Sequence, residues 1–254
     1  MFEEWKGKRV LITGASRGIG AAVALQLGTL GARVGVHYHA SGEGAEQVAD
    51  AIRAAGGDAV TLKGDLSRSA EARRVVDEAA DQLGGLDVLI NNAGDMLGRA
   101  ALEEIDDDRY EQVMDLNVRS LVMASQAALP HLRRAGGGTI IHTTSIAARN
   151  GGGPGAGLYA SAKGFVSTLT RNMAKELAAD GIRVNAVAPG TIATDFHARH
   201  SNDAHMAAAR ASIPMGRLGT ADECVGAYLF LASEALSGYV TGQVIEVNGG
   251  QLMP

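Results

Sequence analysis

Tyr159-Ala160-Ser161-Ala162-Lys163 places a phenol and an ammonium four residues apart, where a glycine-rich run gives way to helical sequence. On a helix, positions i and i+4 lie on one face, so both side chains serve one small volume. A free phenol titrates near ~10, and bringing it to ~7 takes about 4 kcal/mol of preference for the phenolate. One cation about 4 Å away supplies roughly that much at an effective dielectric of ~20. The pair therefore reads as an acid/base device. An isolated Y-x-x-x-K reads more readily as a half-buried Tyr beside a solvated Lys, and the rest of the chain has to overturn that reading.

The elements that must position this pair alternate along the chain. Segments of β-branched character are predicted at Arg9–Thr13, Arg33–Tyr38, Asp58–Leu62, Leu86–Ile90, Thr139–Thr144, Ile182–Ala188 and Gln243–Val247. Between them lie helical patterns from about Ile19, at Glu43–Ala55, Ala70–Leu83, near Asp106–Arg134, at Tyr159–Asp180 and at Ala221–Ser233. Such alternation predicts an α/β fold with a seven-stranded parallel sheet, helices on both faces and right-handed crossovers. Ligands in such sheets bind at the carboxyl ends of the strands, so chemistry is expected in the loops that follow them. At 254 residues and 46% hydrophobic content the chain supports one core, and no repeat or linker divides it. Residues 1–254 are expected to form a single domain.

Those loops carry the remaining candidates. Gly14-x-x-x-Gly18-x-Gly20 follows the first strand and opens a helix, so backbone N–H groups can approach a diphosphate. The second strand ends at His37-Tyr38-His39 with no carboxylate before Glu43. An acid there would hold the free ribose of NAD, whereas a phosphorylated ribose prefers a cation. Arg17 is the candidate phosphate partner, with His39 and Ser41 as further donors, so NADP(H) is expected to be preferred and NAD(H) accepted. Asp65 is placed to accept from an adenine amino group or to cap a turn. Asn91-Asn92-Ala93-Gly94 offers amides for loop backbone groups and room for a flat ring. Asn117 is an amide in an apolar helical stretch, which needs partners if buried. Ser145 closes the fifth strand, and Pro189-Gly190-Thr191-Ile192-Ala193-Thr194 forms a rigid turn whose backbone and hydroxyls can bind a carboxamide.

Taken in order, Thr13-Gly14-x-x-x-Gly18-x-Gly20, Asn91-Asn92-Ala93-Gly94, Asn117, Ser145, Tyr159-x-x-x-Lys163, Pro189-Gly190 and the ending Val240–Gly250 resemble the short-chain dehydrogenase/reductase family. The resemblance covers essentially the whole chain and implies a single-domain, Rossmann-type doubly wound fold. It implies hydride transfer between a nicotinamide dinucleotide and a carbonyl or secondary alcohol. By the same resemblance, Tyr159 exchanges the proton, Lys163 lowers its pKa and holds the nicotinamide ribose, Ser145 polarises the carbonyl, and Asn117 supports a proton path behind Lys163. Cofactor contacts are implied for Gly14, Ser16, Arg17, Gly18, Ile19 and Gly20, for Tyr38, His39 and Ser41, and for Asp65 and Leu66. They are implied also for Asn91, Ala93, Gly94, Tyr159, Lys163, Pro189, Gly190, Ile192 and Thr194. A homotetramer or homodimer is expected, built on the helices that end near Arg134 and begin at Tyr159.

Within the family the sequence looks most like 3-oxoacyl carrier-protein reductases, then sugar, polyol and steroid dehydrogenases. An acidic carrier protein would dock on a basic rim, for which Arg133, Arg134 and Lys175 are the candidates. Against this, Asn150–Leu158 carries five glycines in an interval one residue longer than in common acyl reductases. Residues 194–212 are expected to form a polar substrate lid bearing His197, His200 and His205. These histidines lack the cysteine or carboxylate partners of a metal site, and none is expected. A net charge of −5 with scattered basic residues argues against nucleic acid, and no long apolar run suggests a membrane span. The acidic N-terminus points to a cytoplasmic address, and the single Cys224 reads as a small core residue. A regulator that binds cofactor without catalysis is the competing class, and the full set of Asn117, Ser145, Tyr159 and Lys163 weighs against it.

Overall fold

The computed structural model describes residues 3–253, with the side chains of His197 and Ala198 outside the described residues. The first half alternates as β1 (Arg9–Ile12), α1 (Gly18–Thr29), β2 (Arg33–Tyr38), α2 (Gly42–Ala54), β3 (Asp58–Lys63), α3 (Ser69–Leu83) and β4 (Val88–Asn91). It continues through α4 (Asp107–Met114), α5 (Ser120–Arg134), β5 (Gly138–Thr143), α6 (Ala147–Asn150), α7 (Gly157–Leu177) and β6 (Ile182–Pro189). The chain then runs through α8 (Asp195–His200), α9 (Asp203–Ser212), α10 (Ala221–Ala232), α11 (Glu234–Ser237) and β7 (Val244–Val247). All seven strands pair in parallel in the order β3-β2-β1-β4-β5-β6-β7. The reversal of order beside β1 makes the crevice between β1 and β4 the place for a ligand.

Two cores, one on each face, follow from the period of two along the strands. Val10, Ile12, Val88, Ile90 and Ile141 point to the face covered by α1, α2 and α10, where Leu27, Ile52 and Tyr228 are fully buried. Leu11, Leu89 and Ile140 point to the other, covered by α3, α5 and α7. Because both faces are covered, the strands are apolar throughout rather than alternating.

The structure departs from the sequence-based expectation in three places. The helical region near Asp106–Arg134 is broken by a π-helical turn over Asp115–Arg119, which separates α4 from α5. Single π turns of this kind favour functional sites, and here the turn carries Asn117. Asn150 belongs to a short helix, α6, that precedes the glycine loop. The 194–212 segment, where no helix was predicted, carries two, α8 and α9.

Close helix packing rests on one glycine in particular. A Cβ on Gly28 would lie 2.4 Å from Ile52 Cγ2 and 3.1 Å from its Cβ, so α1 and α2 touch only because that side chain is missing. Gly28→Val should therefore cost about 1–3 kcal/mol in urea unfolding through overpacking. Gly226→Ala, at an exposed site in α10 with nothing within 4 Å, should be neutral or stabilise by up to ~1 kcal/mol. Equal stability of Gly28→Val and the parent would contradict this packing.

Candidate active site

A cleft of about 1050 Å³ opens over the carboxyl ends of the strands. One end is built on the glycine turn. Gly14 has φ +64°, and a Cβ there would sit 3.0 Å from Ala93 Cα, so the turn lies directly against the loop after β4. Thr13 holds the two together, since its Oγ1 accepts from Asn92 N at 2.9 Å and from Ala93 N at 3.0 Å. Asn92 returns the contact by donating Nδ2 to the carbonyls of Thr13 and Gly14, each at 3.0 Å. From β2, His37 accepts from Gly14 N at Nδ1 (3.0 Å), leaving Nε2 to donate to Gly64 O (3.1 Å). Burial pushes its pKa down to about 4, so the imidazole stays neutral and keeps this tautomer.

This end fits a diphosphate. The first turn of α1 carries no side-chain cap and no acid, so its N–H groups are open to an anion. Gly18, at φ +58°, faces Thr194 across the cleft, with 3.7 Å from a built Cβ to the Thr194 side chain. Ser16, Ile19, Tyr38, His39, Ser41, Asp65 and Leu66 also line the cleft, as expected. Asp65 is at once cleft wall and turn former, because its Oδ1 accepts from Ser67 N at 3.1 Å and Ser67 Oγ at 2.7 Å. Burial would raise its pKa, but these two bonds outweigh it and hold the carboxyl below its ordinary value. Arg17 lines the cleft and reaches Asp195 at 3.9 Å, an exposed pair that holds it only weakly.

Two predicted contacts fall elsewhere. Asn91 is buried and turned away from the cleft, donating Nδ2 to Ser125 Oγ of α5 at 3.0 Å, so it braces β4 rather than a ligand. Gly20 sits beneath the turn, where a Cβ would come within 2.5 Å of both Asn92 Nδ2 and Gly14 O. It permits the turn without facing the cleft.

At the other end, Ser145, Tyr159 and Lys163 converge with Ala93, Gly94, Pro189, Gly190, Ile192 and Thr194 on the same cleft. Lys163 is only 3% exposed, and its Nζ donates to Thr143 O at 2.9 Å. Thr144 Oγ1 donates to Lys163 O (2.8 Å), which fixes the first turns of α7 against the end of β5. Burial lowers the Lys163 pKa to about 8, with the Asp95 carboxylate pulling the other way. Burial also pushes the Tyr159 phenol well above its ordinary value, and the Ser145 hydrogen bond offsets only part of this.

Burial thus works against the expected lowering of the Tyr159 pKa by Lys163. The ammonium lies 5.6 Å from the Tyr159 ring centroid, committed to a backbone carbonyl, and desolvation wins. Asn117 stands behind Lys163 instead of in the cleft. Its Nδ2 donates to Asp95 O (2.7 Å) and Val113 O (2.9 Å), while its buried Oδ1 has no protein partner. A Cβ on Gly94 would lie 2.7 Å from that Oδ1 and 2.9 Å from Lys163 Nζ, so Gly94 keeps open the space that joins them.

The walls come from segments that sequence alone did not connect. Phe196 of α8 packs on Tyr159 with ring centroids 5.6 Å apart, and Phe196 meets His200 edge-on at 5.1 Å. Asp95, after β4, bonds Arg199 and His200 of α8. Arg99 donates Nε to His200 O at 2.9 Å and Nη1 to Pro154 O at 2.7 Å, joining α8 to the glycine loop. His205 lines the cleft, and His197 lies outside the described side chains. No metal-ligating cluster occurs among the described residues.

The expected basic rim is at the wrong end of the sheet. Arg133 and Arg134 close α5 just before β5 begins, whereas the cleft lies where β5 ends. Arg133 is bonded to Asp180 at 2.7 Å, and Arg134 donates to His131 at 2.6 Å. Lys175 lies sixteen residues beyond Tyr159 on α7, or ~24 Å along the helix axis.

Comparisons with known proteins agree with this architecture. A family model described as enoyl-(acyl carrier protein) reductase matches residues 14–251. The chain is 39% identical over 246 residues to the 3-oxoacyl-(acyl-carrier-protein) reductase of Staphylococcus aureus, covering 97% of this chain and 98% of that one. The NADH-dependent reductase A1-R′, described as responsible for alginate metabolism, superposes with a TM-score of 0.91 at 45% identity over 99% of both chains. A short-chain dehydrogenase of Burkholderia cenocepacia in complex with NADP gives a TM-score of 0.89 at 36% identity, covering 97% of this chain and 98% of that one. A glycine turn against β4, a buried lysine behind a phenol and matches over nearly the full length lead to one conclusion: the chain belongs to the short-chain dehydrogenase/reductase family and is an oxidoreductase.

Proposed function

We propose that the protein reduces the carbonyl of a small polar compound, of sugar or oxo-acid type, preferring NADP(H) and accepting NAD(H). The observation that carries the reaction is the convergence of Ser145, Tyr159 and Lys163 on the cleft that begins at the glycine turn. A bound nicotinamide would supply the hydride, and the uncapped α1 terminus with Gly14, Gly18 and Thr194 would hold it. As negative charge grows on the carbonyl oxygen, the Ser145 and Tyr159 hydroxyls stabilise it more in the transition state than in the ground state. Tyr159 gives up its proton to that oxygen. Lys163 sits behind it as a buried cation, and the space beside Gly94 toward Asn117 Oδ1 offers the route by which the proton is replaced.

Arg17, and the lack of an acid after β2, support NADP(H). Acceptance of NAD(H) is supported by the likeness to an NADH-dependent reductase at 45% identity. For the substrate, Arg99, Arg199 and His205 line the walls of the inner cleft, which suits a polar or anionic carbonyl compound. A 3-oxoacyl thioester is the second reading. The relative from Staphylococcus aureus favours it, and Leu97, Met206 and Ala209 offer an apolar surface. Its other support, a basic docking rim, is weakened because Arg133 and Arg134 lie at the opposite end of the sheet and neither they nor Lys175 line the cleft. Absorbance at 340 nm with acetoacetyl-coenzyme A and with 2-keto sugar acids separates the two readings. Faster turnover of the thioester would promote the second.

Tyr159→Phe should lower the rate of NADPH oxidation by on the order of 10²–10⁴ while leaving cofactor affinity nearly intact, because only the transferable proton is lost. Comparable kcat in mutant and parent would remove Tyr159 from the reaction. Fluorescence titration should show tighter binding of NADPH than of NADH, since a charge-assisted bond to phosphate is worth about 1.5–3 kcal/mol, or roughly ten- to a hundredfold. Tyr38→Asp should reverse that order, and equal affinities in the parent would contradict the part given to Arg17.

A further inference from the structure

Asp95 has no part in the proton and hydride steps above, yet it touches both the wall and the relay. It is 9% exposed and lies immediately after Gly94. Its carboxylate bonds Arg199 and His200 of α8 and accepts from Leu97 N at 3.1 Å. Its own backbone carbonyl takes the Asn117 Nδ2 hydrogen bond at 2.7 Å, the bond that aims Oδ1 toward Lys163. The loop that carries it is held firmly. Leu97 adopts φ +57°, a left-handed conformation costly for a branched side chain, and Arg109 of α4 donates to the carbonyls of Met96, Leu97 and Gly98. A wall helix and a proton relay thus meet on one rigid residue.

We propose that Asp95 is a positioning residue that couples the seating of α8 over the cleft to the Asn117–Lys163 relay. The inference rests on the proposed role of Lys163 in holding cofactor and proton. The charged and titratable groups facing Asp95 are Arg199 and His200 from α8 and, from α7, Tyr159 and Lys163. Arg99 stands in the same loop. The carboxylate charge raises the pKa of Lys163, and it opposes the burial that brings this value to about 8. Seating α8 pairs that charge with Arg199, so wall position and relay charge are linked through one side chain.

Asp95→Asn keeps the bond to Leu97 N and removes the charge. Hydrogen exchange across residues 195–212 should quicken by on the order of ten- to a hundredfold, the loss expected for a charge-assisted bond. The pH at which NADPH affinity begins to fall should move down in Asp95→Asn, because Lys163 loses its favourable anion. In Arg199→Gln it should move up, because the Asp95 charge is then less compensated. These readings need no turnover, and opposite displacements are not produced by general loosening of the fold. Unchanged exchange over 195–212 would overturn the tie to α8. Onsets that do not move, or that move in the same direction, would overturn the coupling. If Asp95→Asn fails to fold, Arg199→Gln decides alone: quicker exchange with an upward onset supports the proposal, and any other result rejects it. A parent that binds no NADPH at any pH defeats the underlying reading and this inference with it, whereas a parent that binds NADPH normally confines any failure to Asp95.

Discussion

The site depends on keeping an ammonium out of water. Lys163 is nearly inaccessible, and its Nζ donates to the Thr143 carbonyl. A buried charge is tolerated only when the surroundings supply compensation, and the usual escape is to give up the proton. Here the balance leaves the pKa near about 8, so the cation persists at neutral pH close to its limit. Everything around it is arranged accordingly. The end of β5 supplies the carbonyl, Thr144 anchors the first turns of α7, Gly94 leaves space, and the π turn swings Asn117 behind it.

Tyr159 feels the same low-polarity surroundings with the opposite consequence. Desolvation disfavours its phenolate, so the protein by itself holds Tyr159 firmly protonated. That is the state required to donate a proton in the reducing direction. The pair is better described as a held proton and a held cation than as a phenol tuned to neutrality by its neighbour. Ser145 lines the cleft with Tyr159 and accepts from Ala147 N at 3.1 Å, so it is fixed by α6.

Much of this was legible in the sequence because strand–loop–helix order places chain-distant motifs on one edge. Alternation along the chain predicted seven parallel strands, and the loops after them carried nearly all the residues that line the cleft. His37 was given no role because, near the end of an apolar strand, period alone does not distinguish a packed side chain from one that clamps the glycine turn. Asp95 and Arg99 were missed because their partners, Arg199, His200 and Pro154, are far away in sequence and meet them only through loop geometry. That the Asn91 side chain turns to Ser125 was not legible, because amide type cannot say which way a side chain turns at the end of a strand. The misplaced basic rim had a usable signal: a helix returning from one parallel strand to the next ends at the amino edge, so Arg133 and Arg134 had to lie opposite the cleft.

The central claim is that a buried ammonium, depressed by its surroundings, underlies the chemistry. Carbon NMR of the Lys163 Cε, followed through a pH titration of the protein, tests it directly. The account predicts a midpoint near about 8, well below the ordinary lysine value of 10.5. A midpoint at that ordinary value would mean that Lys163 is solvated, and would contradict the account.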